Sequence, residues 1–532
     1  MGAPLSRKEF LINSATGVAA AGLGLLGTDE LFGSGVTELA QAASIKRGGT
    51  LVIGQDTSPN GIDPAKGAAF STLNVTEQMY TGLLNWNNTE SKIEPDLATS
   101  WTMLDHRTFL FNLRKDVKFH NGEPLTSEDV AFTFQRIKDP KVASPWQSIF
   151  DVIDKIATPD PHTAVFHLKT PFSPLLNYLA TVWYGAIENK KDVQQRGNLL
   201  TGGAGTGPFM LEKYVPDVEI KLRRNPHYYE KGLPYLDGLD LKIIPDEATR
   251  VAALRDGTVD MTWVFDPRQA VAMQSVQGVH VSFPKPFSNT EVLEFDQTKA
   301  PYNDVRVRRA FSLTINREQI RKTVMLGHAG YGTKIAPYEQ PYAYTSAEAA
   351  KLPYFQPNLP LAKKLMAEAG YARGFDTVME ISPQYYQDVP TATIIQQQVA
   401  QLGIRIHLQQ AEWTKELSDF IATKNPLSMI GTIWQPDPDA SVYDIYYSKS
   451  PINLGKWSDP TIDHLLELGR TTYSIKKRVA IYRQIERIVA DKVYLIFPFS
   501  WASPYEMWRT NVHGYIPMPG GHRVYLKQTW KG

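Results

Sequence analysis

Apolar and polar positions along this chain switch repeatedly between a period of two and a period of about three and a half. Thr108 to Arg114 alternates, placing Phe109, Phe111 and Leu113 on one face of a half-buried strand. Thr50-Leu51-Val52-Ile53-Gly54 is a short apolar strand running into the loop Ser58-Pro59-Asn60-Gly61-Ile62-Asp63-Pro64. Asn121-Gly122 predicts a tight turn. Thr126 then reads as an N-cap, with Glu128 and Asp129 in the first helical turn and Val130, Phe134 and Ile137 along one side. Further helices are predicted over Leu361–Ala369, closed by Gly370, and over Arg478–Ala490, where Tyr482, Ile485 and Val489 share a face. A strand over Gly403–Gln409 lies between helices, so the class is α/β with a mixed or partly parallel sheet. Trp101, Phe109 and Phe119 take core-facing positions, and Gly205 and Gly207 flank Thr206 in a turn expected to need positive φ.

Ahead of this pattern the first 42 residues read as an export signal. Leu5-Ser6-Arg7-Lys8-Glu9-Phe10-Leu11 sets positive charge before an Ala/Gly/Leu-rich stretch from Ala15 to Gly27, and Ala40-Gln41-Ala42 supplies a small-x-small cleavage pattern. The segment resembles a twin-arginine signal with Lys8 in place of the second arginine; the Sec route is the alternative. Its glycines disfavour the reading as a stable first helix. The mature chain is expected to begin near Ala43 in an envelope compartment, and the absence of cysteine leaves no lipid anchor, which fits a Gram-negative periplasm.

Composition narrows the function. A chain of 532 residues needs more than one core, so two or more lobes are expected. Its 56 basic and 55 acidic residues nearly cancel, which argues against binding to nucleic acid or an anionic membrane. Without cysteine there are no disulfides, no thiol catalysis and no zinc–thiolate site. The sequence has no internal repeat or long linker, so short crossing strands are expected to join the lobes.

Several spaced stretches carry a family resemblance. Pro95-Asp96-Leu97-Ala98-Thr99-Ser100-Trp101 and its continuation from Thr108 to Thr126 resemble a signature of the family 5 bacterial extracellular solute-binding proteins, which include dipeptide, oligopeptide, nickel and glutathione binders. Gly205-Thr206-Gly207-Pro208-Phe209 is similar to the family's GTGPY element, and Arg224-Asn225-Pro226-His227-Tyr228-Tyr229 to its RNxxYW element. Leu254–Asp260, Pro301–Ala310 and Leu365–Tyr371 are similar to its LxxGxxD, PFxDxRVRxA and LLxEAGY elements, in the same order. The resemblance implies a two-lobed periplasmic binding protein fold with an inserted subdomain in the first lobe. It places the first lobe at 43–285 plus 497–532, the insertion at about 70–200 and the second lobe at 286–496. It also implies a monomeric receptor that captures a peptide or peptide-like small molecule, closes on it and delivers it to the membrane permease of an ABC transporter.

The segment Gly431–Asp439 resembles the family's cleft-lining GWxxDxxDPD element, which makes Trp434, Asp437 and Asp439 the candidate ligand-binding residues. In the peptide-binding members an aspartate three positions before the DPD element pairs with the ligand's α-ammonium; here that position is Trp434. An indole suits stacking or a cation–π contact, which opens the alternatives of an opine, an oligosaccharide or an amino-acid conjugate. Trp434 as a packing residue, and Asp437 and Asp439 as helix-capping or turn residues, are the competing structural readings. The Gly-rich run Gly202–Gly207 lacks the GKS/T ending of a phosphate loop. An enzyme is not expected: there is no GxSxG, HExxH or Walker element, and a carboxylate-based hydrolase would rest on Asp437 and Asp439 alone. The eleven histidines form no HxH or HxxxH pair, so ligand spacing supports neither a nickel nor a haem carrier, and no cofactor is expected.

Fusing residues 1–45 to a reporter that works only after export in the folded state should give a periplasmic signal. Export that survives Arg7→Lys but stops under a Sec block would rule out the twin-arginine route.

Overall fold

The computed structural model describes residues 45–67, 69–87, 92–432, 435–502, 504–517 and 526–532; the export-signal reading of residues 1–42 falls outside them. Local sequence sets the elements much as their patterns predict. The helix Ser127–Lys138 starts at Thr126, whose backbone N–H and hydroxyl both donate to the Asp129 carboxylate at 2.9 Å. The predicted helices are present as Leu359–Glu368, capped by Asn358, and Ile475–Lys492, capped by Ser474. Gly122 and Gly370 sit at φ of 88° and 87°, where a side chain would be strained.

Lys46–Gly532 forms one unit built on three principal sheets. The first is a mixed seven-stranded sheet. In spatial order its strands are Val279–Val281, Tyr505–Arg509, Met261–Val264, Thr50–Gln55, Gly238–Ile243, Glu219–Arg224 and Phe209–Val215. Thr50–Gln55 runs parallel to both its neighbours, and the remaining pairs are antiparallel. The second sheet centres on Asn289–Phe295, which pairs with Leu427–Thr432, Leu495–Ile496 and Ser500–Trp501. A parallel pair, Phe375–Ile381 with Ile404–Gln410, lies close by, its strands connected through the helix Asp388–Val399. The third sheet is antiparallel and four-stranded, in the order Ala98–Asp105, Thr108–Leu113, Thr163–Leu168, Ile153–Asp160.

Packing follows from which strand faces are apolar. All seven residues of Asn289–Phe295 are buried, with Leu293 and Phe295 in one core and Val292 in another on the opposite face. The four-stranded sheet buries one face only. Phe109, Phe111 and Leu113 pack there with Phe134 and Phe166, each large apolar side chain worth about 1.5–3 kcal/mol of burial. Phe119 is buried as expected, whereas Trp101 is only half-buried because Ala98–Asp105 is the edge strand of this sheet.

One sequence expectation needs correction. Gly205 and Gly207 do not adopt positive φ; that role falls to Gly202, at 99°. They are glycines for lack of room, since a Cβ at Gly205 would lie 1.9 Å from the Met79 carbonyl oxygen and one at Gly207 would lie 2.5 Å from the Met79 carbonyl carbon. The chain passes from the first sheet to the second at 282–288. It returns between Trp501 and Tyr505, since Ser500–Trp501 pairs with Asn289–Thr290 and Tyr505–Arg509 with the first sheet.

A buried charge cluster fastens the four-stranded unit to the first sheet's leading loop. Arg136, on the helix Ser127–Lys138, binds Asp63 through two nitrogens at 2.5 and 2.9 Å and Glu188 at 2.6 Å. All three side chains are buried. Arg136→Ala would leave two carboxylates in a low-dielectric interior without their counter-charge. Denaturant unfolding should show a loss of about 3–5 kcal/mol.

Candidate functional site

The carboxyl ends of three neighbouring strands in the first sheet open toward the second sheet. Asp56 and Thr57 follow Thr50–Gln55, Pro245 follows Gly238–Ile243, and Phe265 follows Met261–Val264. Such strand ends gather loops at one edge of a parallel arrangement, which is where α/β folds place their ligands. Between these loops and the second sheet lies a cavity of about 650 Å³. Phe70, Ser71 and Asn74 bring the amino-terminal end of the helix Phe70–Met79 to it, and with it the positive end of a helix dipole. The second sheet contributes Asn289, Gly431, Thr432 and Trp501, and the flanking loops add Gln384, Tyr385, Gln387 and Trp413. Tyr385 and Trp413 meet edge to face at 6.1 Å.

Charge in this cavity is uneven. On the first-sheet side Arg250 donates to the carbonyls of Ile244 and Pro245 at 2.9 and 2.7 Å. Glu247 accepts from the backbone N–H groups of Phe265 and Asp266 at 3.0 and 3.2 Å. Burial raises the Glu247 pKa against the pull of those two donors, and burial lowers that of Arg250. Immediately behind the second-sheet wall stand Glu291, Asp388 and Glu416, all buried, with pKa values pushed above the usual carboxylate range by burial; the charge of Glu416 raises Glu291 further, and those of Glu291 and Glu416 raise Asp388. A larger hollow of about 970 Å³ lies along the helix Ser127–Lys138 and the strand Ile153–Asp160 of the four-stranded unit. It belongs to that unit alone, so a ligand there would gain nothing from closure of the lobes.

Contacts across the cleft are polar and aromatic. Arg268 lies 4.1 Å over the Tyr386 ring. From the four-stranded unit, the Ser173 N–H donates to the Arg470 carbonyl at 2.7 Å and Tyr184 hydrogen-bonds Gln435. His106 stacks on Tyr473 at 4.5 Å, and the Tyr473 hydroxyl donates to the His106 carbonyl at 2.7 Å.

The residues expected from sequence fall in different places. Trp434 lies outside the described residues. Asp437 caps the helix Pro438–Tyr446 by accepting the Asp439 N–H at 2.9 Å, and Arg478 clamps its carboxylate at 2.6 and 3.0 Å. Asn177 reaches it from the four-stranded unit at 2.5 Å. Asp439 is held by Arg470 at 2.8 and 3.1 Å. Both aspartates are buried, brought together at one helix start and engaged by arginines, and neither is among the residues that wall the 650 Å³ cavity. The wall residues Tyr385, Trp413 and Trp501 carry no motif. Glu291 does leave a signal: in Asn289–Phe295 it shares the face of Leu293 and Phe295, an acidic residue at a core position. Among the described residues, no group of three or more histidines, aspartates or glutamates is placed to hold a metal ion, and no helix is long and apolar enough to cross a membrane.

Comparison with known proteins agrees with this architecture. Residues 92–453 match the family model of the bacterial extracellular solute-binding proteins, family 5 (middle region). The dipeptide-binding protein of Pseudomonas aeruginosa is 25% identical over 89% of this chain and 94% of its own length. A probable deoxycholate-binding periplasmic protein of Escherichia coli is 27% identical over 89% and 92%. Among solved structures, the binding protein AgaA of A. tumefaciens R10 in complex with agropinic acid superposes with a TM-score of 0.77. It is 27% identical and covers 91% of this chain and 99% of that one. The mixed α/β chain thus has the two-lobed periplasmic binding protein fold, and its family and these relatives are binding proteins. The matched region spans more than half the chain and includes aromatic wall residues from both sides of the cavity, Trp263 and Trp413: the protein belongs to the bacterial extracellular solute-binding proteins, family 5.

Proposed function

We propose that this chain is the receptor of an ABC uptake transporter, capturing a peptide or peptide-like solute between two closing lobes and presenting it to the membrane permease. The observation that carries the reading is the aromatic-lined cavity of about 650 Å³, walled from both sheets and spanned by only two chain crossings. A ligand that touches both walls stabilises the closed form through its contacts with each. The dipeptide-binding relative favours a peptide. The first lobe comprises 43–285 plus 497–532, with the insertion at about 70–200; the second lobe comprises 286–496. The receptor works as a monomer, carries out no chemistry and reaches the periplasm through the leader at 1–42. Against a hydrolase, the paired carboxylates Asp437 and Asp439 are each neutralised by an arginine, which leaves no general acid and base.

In this reading Trp434 contacts the ligand, while Asp437 and Asp439 act indirectly, held by Arg478 and Arg470. A dipeptide at saturation should lower the radius of gyration in solution scattering; an unchanged value would exclude closure, because equal affinity for open and closed forms drives no shift.

Trp413→Ala should weaken binding by about 2–4 kcal/mol, or 30- to 1,000-fold, with little change in melting temperature. Asp437→Asn should act on stability first. It removes the counter-charge of the buried Arg478 and should reduce stability by about 3–5 kcal/mol, while calorimetry well below the melting point finds the ratios of affinity among different dipeptides unchanged.

A further inference from the structure

The polar residues that wall the 650 Å³ cavity are not equally engaged. Gln387 donates to Glu291 at 3.4 Å, and the Thr432 hydroxyl donates to the Thr290 carbonyl at 3.1 Å. Glu247 and Arg250 are held by backbone groups. Ser71 and Asn74 differ. They are 6% and 5% exposed, yet among the described residues neither side chain has a hydrogen-bond partner; Gln55 reaches only the Ser71 carbonyl, at 3.3 Å. On the opposite wall Trp501 is 5% exposed, and its indole N–H likewise has no partner among the described residues. Leaving such a group buried and unmatched costs about 1–3 kcal/mol.

Local propensity does not account for these residues. Serine and asparagine favour caps and turns, whereas Asn74 lies inside the helix Phe70–Met79. Three positions apart, Ser71 and Asn74 share one face of that helix, and both wall the cavity. The helix starts at Ala69, itself a wall residue, without a side-chain cap, so the positive end of its dipole acts on the same space. A full negative charge is nevertheless a poor match. Arg250 is the one cation among the described wall residues, and Asp56 and Glu247 outnumber it. A neutral group with both a donor and an acceptor fits better.

Resting on the reading of this cavity as the site of a peptide, we propose that Asn74 recognises a peptide group of the ligand, its carboxamide accepting the ligand's N–H and donating to the ligand's carbonyl. A carboxamide carries an acceptor and donors in one plane, which is the complement of a peptide group. The Ser71 hydroxyl supplies a second donor to the same carbonyl, on the side of the helix's positive end. Trp501 offers its N–H to a further acceptor from the second lobe, so hydrogen bonds hold the ligand from both walls. An ester in place of the amide has no N–H to give, and its oxygen faces the Asn74 acceptor without a proton between them. The subsite therefore selects amides over esters of the same shape and charge.

Calorimetry on the full mature chain tests this with two probes, the dipeptide Ala-Ala and alanyl-lactate, in which an ester oxygen replaces the peptide N–H. The unaltered protein should bind Ala-Ala about 10- to 100-fold more tightly. Asn74→Ala should weaken Ala-Ala by a similar factor and cut its preference over the ester to about threefold or less. A residue that merely shaped the wall would leave that preference intact. Ser71→Ala should weaken both probes alike, since both keep the carbonyl. Neither variant should lower the melting temperature of the empty protein, because neither side chain has a partner to lose. Equal binding of the two probes, or a full preference kept by Asn74→Ala, overturns the proposal. Ala-Ala weakened by Trp413→Ala but not by Asn74→Ala overturns the subsite and leaves the cavity reading standing. Ala-Ala bound equally well by all three variants overturns the cavity reading itself. Failure of Ala-Ala to bind at millimolar concentration overturns the peptide reading, and the subsite with it.

Discussion

Among the described residues the chain passes between its two large sheets twice, between Val281 and Asn289 and between Trp501 and Tyr505, and each crossing is pinned by strand pairing at both ends. That constraint fixes where the cavity lies. The crossings are too short to let the lobes drift apart, yet few enough that the lobes can rotate about them. The loops after Thr50–Gln55 and Met261–Val264 line that cavity together with Asn289, the first residue of Asn289–Phe295. Burial of Asn289–Phe295 on both faces makes the second wall stiff, so its side chains hold position without support from a ligand.

Buried charge is handled in two distinct ways. Several joints between separate parts of the fold are made by arginine. Arg136 ties the four-stranded unit to Asp63 and Glu188, Arg478 holds Asp437, and Arg470 holds Asp439. Arg317, wholly buried, is bonded instead to the carbonyls of Phe497 and Phe355 and the Ser312 hydroxyl. A planar guanidinium can satisfy several acceptors at fixed angles, which suits a joint that must not slip. Beside the cavity the fold leaves Glu291, Asp388 and Glu416 without such partners.

Much of this was legible in the sequence, and the parts that were not share a physical reason. Strand alternation around Phe109, the Thr126 helix start and the Gly370 stop are local, and they emerged as read. Gly205 and Gly207 were recognised as architectural for the wrong cause. Their constraint is a backbone 126 or more residues earlier in the chain, at Met79, which no local pattern reports. Asp437 and Asp439 were legible as a motif but not as ion-paired residues, because Arg470 and Arg478 lie on later helices. Tyr385, Trp413 and Trp501 come from three loops and strands that only tertiary pairing brings together. Glu291 was the missed clue, a lone acid on an apolar strand face.

The Asp437 carboxylate is shared between Arg478 in its own lobe and Asn177 from the opposite side of the cleft. The second of these bonds forms only when the two sides meet, and it takes no account of what lies between them. It thus contributes equally to the closed form of every complex and of the empty receptor. Its strength sets a common scale for all affinities and leaves their ratios untouched. Evolution can therefore tune how readily this protein gives up its cargo at position 177 without altering what it chooses to carry.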